Sequence, residues 1–218
     1  MHVSISLWSS SAAYNNIIFY DADDTYAELS QTGRYFIGGI LHHAASLVSL
    51  TSPTVNSYHR MVPGFEAPVY VAWSRGNRSA ILRVPVNDRN DAKRVEFRTP
   101  HQSANPYLAF SALAAAGLDG IKKKIEPGDP VNEDIYKMSD RKRKSMSIRS
   151  LPSRLQESLE ALKSDKEYLR LCFQGGLLET YIKLKQEEIA YAHKSRERQF
   201  ELYYDIRSGQ SCAGVLDI

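Results

Sequence analysis

Polar and apolar residues alternate from His2 to Trp8 (His2-Val3-Ser4-Ile5-Ser6-Leu7-Trp8), the period of a strand with one face buried. Ser9 to Asp24 is rich in Ser, Asn and Asp around an apolar patch at Ile17 to Tyr20, and reads as a long loop. From Ala27 to Leu50 the period changes: Leu29, Phe36, Ile37, Ile40, Leu41, Ala44, Leu47 and Val48 recur at three- and four-residue steps. This predicts one helix, with Gly38-Gly39 permitting close packing and Thr51-Ser52-Pro53 ending it. Val69 to Trp73 and Ser79 to Val84 suit adjacent antiparallel strands joined by a turn at Arg75-Gly76-Asn77. Lys93 to Arg98 is a third strand, with Arg94, Glu96 and Arg98 on one face and Val95 and Phe97 on the other. A cationic face around one carboxylate is costly in a dry core, so it should line a wet or ligand-filled cavity. Pro106 opens a helix through Ile121, apolar and Ala-rich enough to lie deep, and Lys122-Lys123-Lys124 suits its negative end. Glu126 to Pro130 and Asp140 to Ser150 read as exposed connections. Helices are predicted over about Ser153 to Ser164 and about Leu177 to Tyr203. The class is α+β.

Composition narrows the setting. The chain has 218 residues and 43% hydrophobic content, enough to bury a core. Its 28 basic and 25 acidic residues leave a formal charge of +3, which gives no reason to expect a nucleic-acid partner; the runs at Lys122 to Lys124 and Arg141 to Lys144 read as solvated. Cys172 and Cys212 are too few and too far apart for a disulfide scaffold or a zinc site, and a reducing, cytoplasmic setting is expected. No stretch approaches the roughly 18–20 apolar residues of a membrane-spanning helix, so no membrane partner is expected.

The candidate chemistry lies between Asn56 and Arg98, where Arg60, Glu66, Arg78, Arg83, Glu96 and Arg98 fall in strand-like and turn-rich sequence. Two prolines and a glycine fix Glu66 in the loop Val62-Pro63-Gly64-Phe65-Glu66-Ala67-Pro68. Carboxylates, a histidine and several arginines together have the composition of a phosphoryl-transfer site, where hard oxygen ligands hold divalent cations and guanidinium forks hold anions through paired hydrogen bonds. On spacing alone, ordinary surface ion pairs worth about 0–1 kcal/mol each explain the arginines equally well.

The motifs add a family resemblance. Met1-His2-Val3-Ser4-Ile5-Ser6-Leu7, Asn56 to Pro68 (NSYHRMVPGFEAP), Asn77-Arg78-Ser79-Ala80, and Val95-Glu96-Phe97-Arg98 with Ala104-Asn105-Pro106-Tyr107 are similar, in order and spacing, to the C-terminal half of type I glutamine synthetases. Gly117-Leu118-Asp119-Gly120-Ile121 and Phe200 to Tyr204 extend the likeness over nearly the whole chain. The resemblance implies a partial catalytic domain over residues 1–206, a curved antiparallel sheet packed with helices and a helical C-terminal region. Residues 207–218 then read as a flexible tail. It implies ATP-dependent ligation of ammonia to glutamate through γ-glutamyl phosphate, with Mg²⁺ or Mn²⁺, in a homo-oligomer of ring form. His2 and Glu96 match metal ligands, Arg60 and Arg98 match residues gripping glutamate, and Arg78 matches one stabilising the phosphoryl group. Ser6, Arg83 and Arg94 match ATP contacts, and Glu66 matches the closing flap that accepts a proton from ammonium. The chain departs from the family at Ser4, where many members carry a second histidine, and around Tyr136, which lacks the adenylylated motif. The N-terminal β-grasp domain and the first half of the catalytic domain, with most metal-binding glutamates, have no counterpart, so the chain reads as a fragment or truncated product. A γ-glutamyl-polyamine synthetase and a non-catalytic relative are the alternatives within the same resemblance.

Overall fold

The computed structural model describes residues 1–10, 17–64, 67–86 and 92–204. Its first helix begins later than the apolar period suggests, because Asp24 claims the preceding amides: its carboxylate accepts from the backbone N–H of Tyr26, Ala27 and Leu29 and from Arg34 Nη2. Ser30 then caps helix α1 (Gln31–His42), its Oγ accepting from Gly33 N at 3.1 Å. The predicted single helix bends at His43 (φ −87°, ψ 7°), and α2 (Ala44–Thr51) continues beyond it. Burying Phe36, Ile37, Ile40 and Leu41 of α1 stabilises by about 1.5–3 kcal/mol each.

Asn105 starts α3 (Pro106–Lys123), its Oδ1 accepting from Tyr107 N and Leu108 N, and Lys124 closes it in the left-handed conformation. The glycines set how closely α1 and α3 approach. A Cβ at Gly39 would lie 2.1 Å from the Ala116 carbonyl, and one at Gly120 would lie 2.2 Å from the Tyr35 carbonyl. The close-packing expectation for Gly38-Gly39 therefore holds. The expectation that α3 lies deep holds for one face only: Ala109, Ala112, Leu113 and Ala116 are buried, whereas Tyr107, Phe110 and Leu118 are exposed.

The sheet has the order β1-β4-β3-β2-β5, from β1 (Val3–Ile5), β2 (Tyr70–Arg75), β3 (Ala80–Val84), β4 (Val95–Phe97) and β5 (Arg149–Ser150). It is mixed. The expected antiparallel hairpin of β2 and β3 is instead a parallel pair, with Trp73 beside Leu82 and Arg75 beside Val84, and an irregularity between Tyr70 and Trp73. Parallel neighbours ordinarily need a long crossover. Here the connection is pinned to another segment: Asn77 Nδ2 donates to the carbonyls of Val131 and Glu133, and Ser79 Oγ accepts from Ile135 N. Gly76 in this connection adopts the left-handed φ of +88°, which glycine tolerates without strain. The remaining pairings are antiparallel.

Beyond the sheet, α4 (Asp140–Ser145) is a short helix with no buried residue, within a stretch expected to be an exposed connection. Helix α5 (Leu155–Ser164) lies where predicted. The long predicted C-terminal helix is two, α6 (Leu177–Ala192) and α7 (Arg196–Tyr204), because Ser195 caps a new start by accepting from Arg198 N. Tyr203 returns its hydroxyl to Glu188, which also pairs with the buried Lys185 at 2.7 Å. The predicted tail 207–218 lies outside the described residues. No helix among the described residues is long and apolar enough to cross a membrane.

His43 explains the bend between α1 and α2. Buried and stacked on Tyr168, it sets Nε2 2.9 Å from Asp119 Oδ2 on α3 and Nδ1 2.9 Å from Asp165 Oδ2 beyond α5. Burial pushes both carboxyls up, but hydrogen bonds from His43, Lys123 and Ser46 outweigh it and hold both below the ordinary aspartate value. A carboxyl depressed on folding contributes stability that is complete above its unfolded value of about 3.9 and disappears as pH falls through the folded one. The double variant Asp119→Asn/Asp165→Asn should therefore lose stability at neutral pH and flatten the acid limb, read as urea midpoints between pH 2 and 6; an acid limb as steep as the parent's refutes this. Gly120→Ala should destabilise by about 1–3 kcal/mol through overpacking, whereas Ala114→Ser on the exposed face of α3 should change the urea midpoint little.

Candidate active site

Cross-strand register builds the site. Ser4 of β1 lies opposite Glu96 of β4, and Glu96 lies opposite Arg83 of β3. Side chains of paired residues share a face, so His2, Arg83 and Arg98 converge on Glu96 while Val95 and Phe97 enter the core on the other side. Glu96 Oε2 accepts from Arg83 Nε at 2.6 Å and Arg98 Nη1 at 3.2 Å, and Oε1 lies 3.1 Å from His2 Nδ1. The glutamate is 7% exposed and Arg98 is 9% exposed, so the charged face is largely covered and survives by pairing rather than by solvation.

Burial pushes the Glu96 carboxyl up, but the hydrogen bond and charge of Arg83, followed by Arg98 and His2, hold it below the ordinary glutamate value. Burial and the Arg98 charge lower His2, against the opposing pull of Glu96. A neutral His2 with its proton on Nδ1 satisfies Glu96 and leaves the Nε2 lone pair open. Arg98 contains the exception to this pairing: its Nε is buried and has no hydrogen-bond partner among the described residues, and neither has the neighbouring Thr99 Oγ1. A buried charged group with an unspent donor is what an anion site requires.

Arg60 joins the same region. Its Nη1 donates to the carbonyls of Thr99 at 3.2 Å and Pro100 at 3.1 Å, directly after Arg98. Ser52 Oγ also donates to the Thr99 carbonyl, and His101 N donates to the Thr51 carbonyl, so the end of α2 holds this segment in place. Ser52 and Thr99 were not among the sequence-predicted residues. The available signal was Thr99-Pro100, since a residue before proline is held extended and its carbonyl direction is fixed.

The other predicted residues are dispersed. Arg94 donates to the Ala92 carbonyl at 3.2 Å, and Ser6 is exposed just beyond β1, accepting from Trp8 Nε1 at 3.0 Å. Arg78 is exposed on the turn fixed by Asn77 and makes no ion pair with a described residue. Glu66 lies outside the described residues. Among those described, no three His, Cys, Asp or Glu side chains gather to hold a metal ion. His2 and Glu96 offer two ligand groups, and three donors already occupy the Glu96 oxygens, whereas a divalent cation in an oxygen site takes about six ligands. The described residues alone do not make a divalent-cation site.

Residues 1–203 match the family model for the glutamine synthetase catalytic domain. The chain belongs to the glutamine synthetase family. It is 51% identical over 190 residues to the glutamine synthetase of Sulfolobus acidocaldarius, a match covering 86% of this chain and 40% of that relative. The enzyme of Streptomyces filamentosus is 50% identical over 211 residues, 94% of this chain and 44% of the relative. That of Archaeoglobus fulgidus is 44% identical over 208 residues, 94% and 42%. The chain thus spans 40–44% of the length of these glutamine synthetases.

Removing the central carboxylate should expose how much the family's arginine cluster depends on it. Glu96→Ala strands Arg83 and Arg98 together and should destabilise by about 3 kcal/mol, with Glu96→Gln costing about half as much because it keeps an acceptor. Denaturant titration of both variants tests this; equal midpoints for parent and Glu96→Ala contradict the pairing.

Proposed function

We propose that this segment supplies the substrate- and phosphate-gripping part of a site that ligates ammonia to glutamate at the expense of ATP, through a γ-glutamyl phosphate. The observation supporting this reading most directly is Arg98, nearly buried beside Glu96 with an Nε that has no partner among the described residues. An arginine so placed can direct its remaining donors at a carboxylate without giving up its ion pair.

Arg60 and Arg98 hold glutamate, with Arg60 positioned by the carbonyls it already contacts. Arg83 and Arg94 face ATP with Ser6, and exposed Arg78 offers its charge to the phosphoryl group as it transfers. Glu66 accepts the proton that ammonium loses before nitrogen attacks the acyl phosphate, and its loop excludes water. His2 and Glu96 would be among the ligands of Mg²⁺ or Mn²⁺, the rest drawn from outside this segment, and the ion would supply positive charge for phosphate oxygens. The reaction belongs to an assembled homo-oligomer containing the remaining part of the catalytic domain.

Co-expression with the preceding portion of a full-length relative should restore glutamine formation dependent on both ATP and ammonia. Arg98→Ala and Glu66→Ala should each lower kcat/KM by about 10²–10³-fold in that assembly. Activity that withstands both substitutions rejects the residue roles. A strong preference for a polyamine over ammonia rejects the acceptor.

A further inference from the structure

Helix α4 is not used by the proposed chemistry, and its surroundings give it a separate use. It carries four consecutive cations, Arg141-Lys142-Arg143-Lys144, followed by Ser145. None of its residues is buried, so no apolar anchor holds it to the core. Two of the cations have local duties: Lys142 pairs with Glu133, while Arg143 pairs with Asp140 and lies 5.1 Å from the Tyr70 ring centre. Arg141 and Lys144 are exposed and form no ion pair with a described residue. Ser145 is exposed, and its Oγ donates to the Lys142 carbonyl one turn back, at 2.9 Å. The chain then leaves the helix through Ser147 in the left-handed region (φ +54°), where a non-glycine residue is disfavoured.

We propose that Ser145 is a phosphorylation site for a protein serine kinase whose acidic substrate groove reads the cations one to four residues before the acceptor. An extended segment must enter such a groove, and a short helix with no buried residue, tied back to the core through Arg143, opens at lower cost than a helix with a packed apolar face. Electrostatic complementarity supplies both steering and register. In the transfer, a bond forms between Ser145 Oγ and the γ-phosphorus of ATP, and the bond from that phosphorus to the bridging oxygen breaks. The hydroxyl proton passes to the kinase's base and ADP leaves.

The modification should change the helix that carries it. Ser145 is the last residue of α4, and a phosphate there opposes the negative end of the helix dipole and removes the hydroxyl proton donated to Lys142 O. Opening α4 would release Arg143 from the carbonyls of Ile135 and Met138 and loosen the path into β5, whose successor Leu151 donates to the Val69 carbonyl.

The test uses the intact chain with ATP and the catalytic domain of a kinase selective for basic residues before serine, read by intact mass and peptide mapping. One phosphate should appear on Ser145, at a rate within about tenfold of a free peptide spanning residues 139–152. Ser145→Ala should abolish it, and Arg141→Ala/Lys142→Ala should slow it about tenfold or more. The phosphorylated chain should lose amide-exchange protection in α4 relative to the unmodified chain. Modification of the peptide but not of the intact chain overturns the proposal, as does a phosphate that persists in Ser145→Ala. Unchanged protection in α4 overturns the proposed opening. Salt-sensitive RNA binding by the basic run, without phosphate transfer, assigns the segment to a different partner and rejects the kinase reading.

Discussion

Glu96 is a carboxylate in the middle of a strand whose neighbours, Val95 and Phe97, are fully buried. It cannot occupy that place uncompensated, since removing an unpaired charge from water costs several kcal/mol even after relaxation. Arg83 across the ladder, Arg98 two residues on and His2 from the edge strand together provide the compensation. This requirement fixes the register of β1, β4 and β3, because a one-residue slip would send Glu96 into the core and Phe97 toward the arginines. The same contacts therefore specify the fold locally and assemble the charged face.

That face depends on the helical layer through a short set of backbone contacts. The glycine contact of α1 with α3 sets the helix pair close together, and His43 then ties the bend before α2 to Asp119 of α3 and to Asp165. The end of α2 consequently has a defined position. From there Thr51 O receives His101 N, and Ser52 Oγ reaches Thr99 O, the carbonyl that also receives Arg60. Arg60 and Arg98 are thus brought together through the 99–101 segment, whose backbone is tied to the end of α2, and this favours a preorganised anion grip.

Local patterns disclosed most of the elements because their causes are local. Alternation exposed the charged face of β4; Asn105-Pro106 marked the start of α3; Gly38-Gly39 announced a close helix contact. The family motifs brought together His2, Glu96, Arg83 and Arg98 before their register was known. Features decided by distant partners were not legible. The bend at His43 arises from Asp119 and Asp165, and the parallel pairing of β2 and β3 arises because Asn77 and Ser79 bond to the 131–135 segment instead of closing a hairpin. The split between α6 and α7 had a local signal in Ser195, but the apolar period across it concealed the new cap. Thr99 offered only the backbone signal of a residue before proline, and Ser52 offered none, because their roles lie in carbonyl direction and a buried hydroxyl.

The charge balance of the face explains why this segment is suited to anions and insufficient by itself for a metal. Glu96 is the sole carboxylate in contact with Arg83 and Arg98 among the described residues, and it spends both oxygens on three donors. The cluster is left with excess positive charge and an unspent Arg98 donor. An arriving carboxylate or phosphate lowers its energy, whereas a divalent cation placed there alone would meet two guanidinium groups at close range. Cation binding therefore needs additional carboxylates facing this surface, and their arrival would stabilise the arginine side as well as the metal. An anion on the arginines and a carboxylate facing them therefore offset the same excess charge.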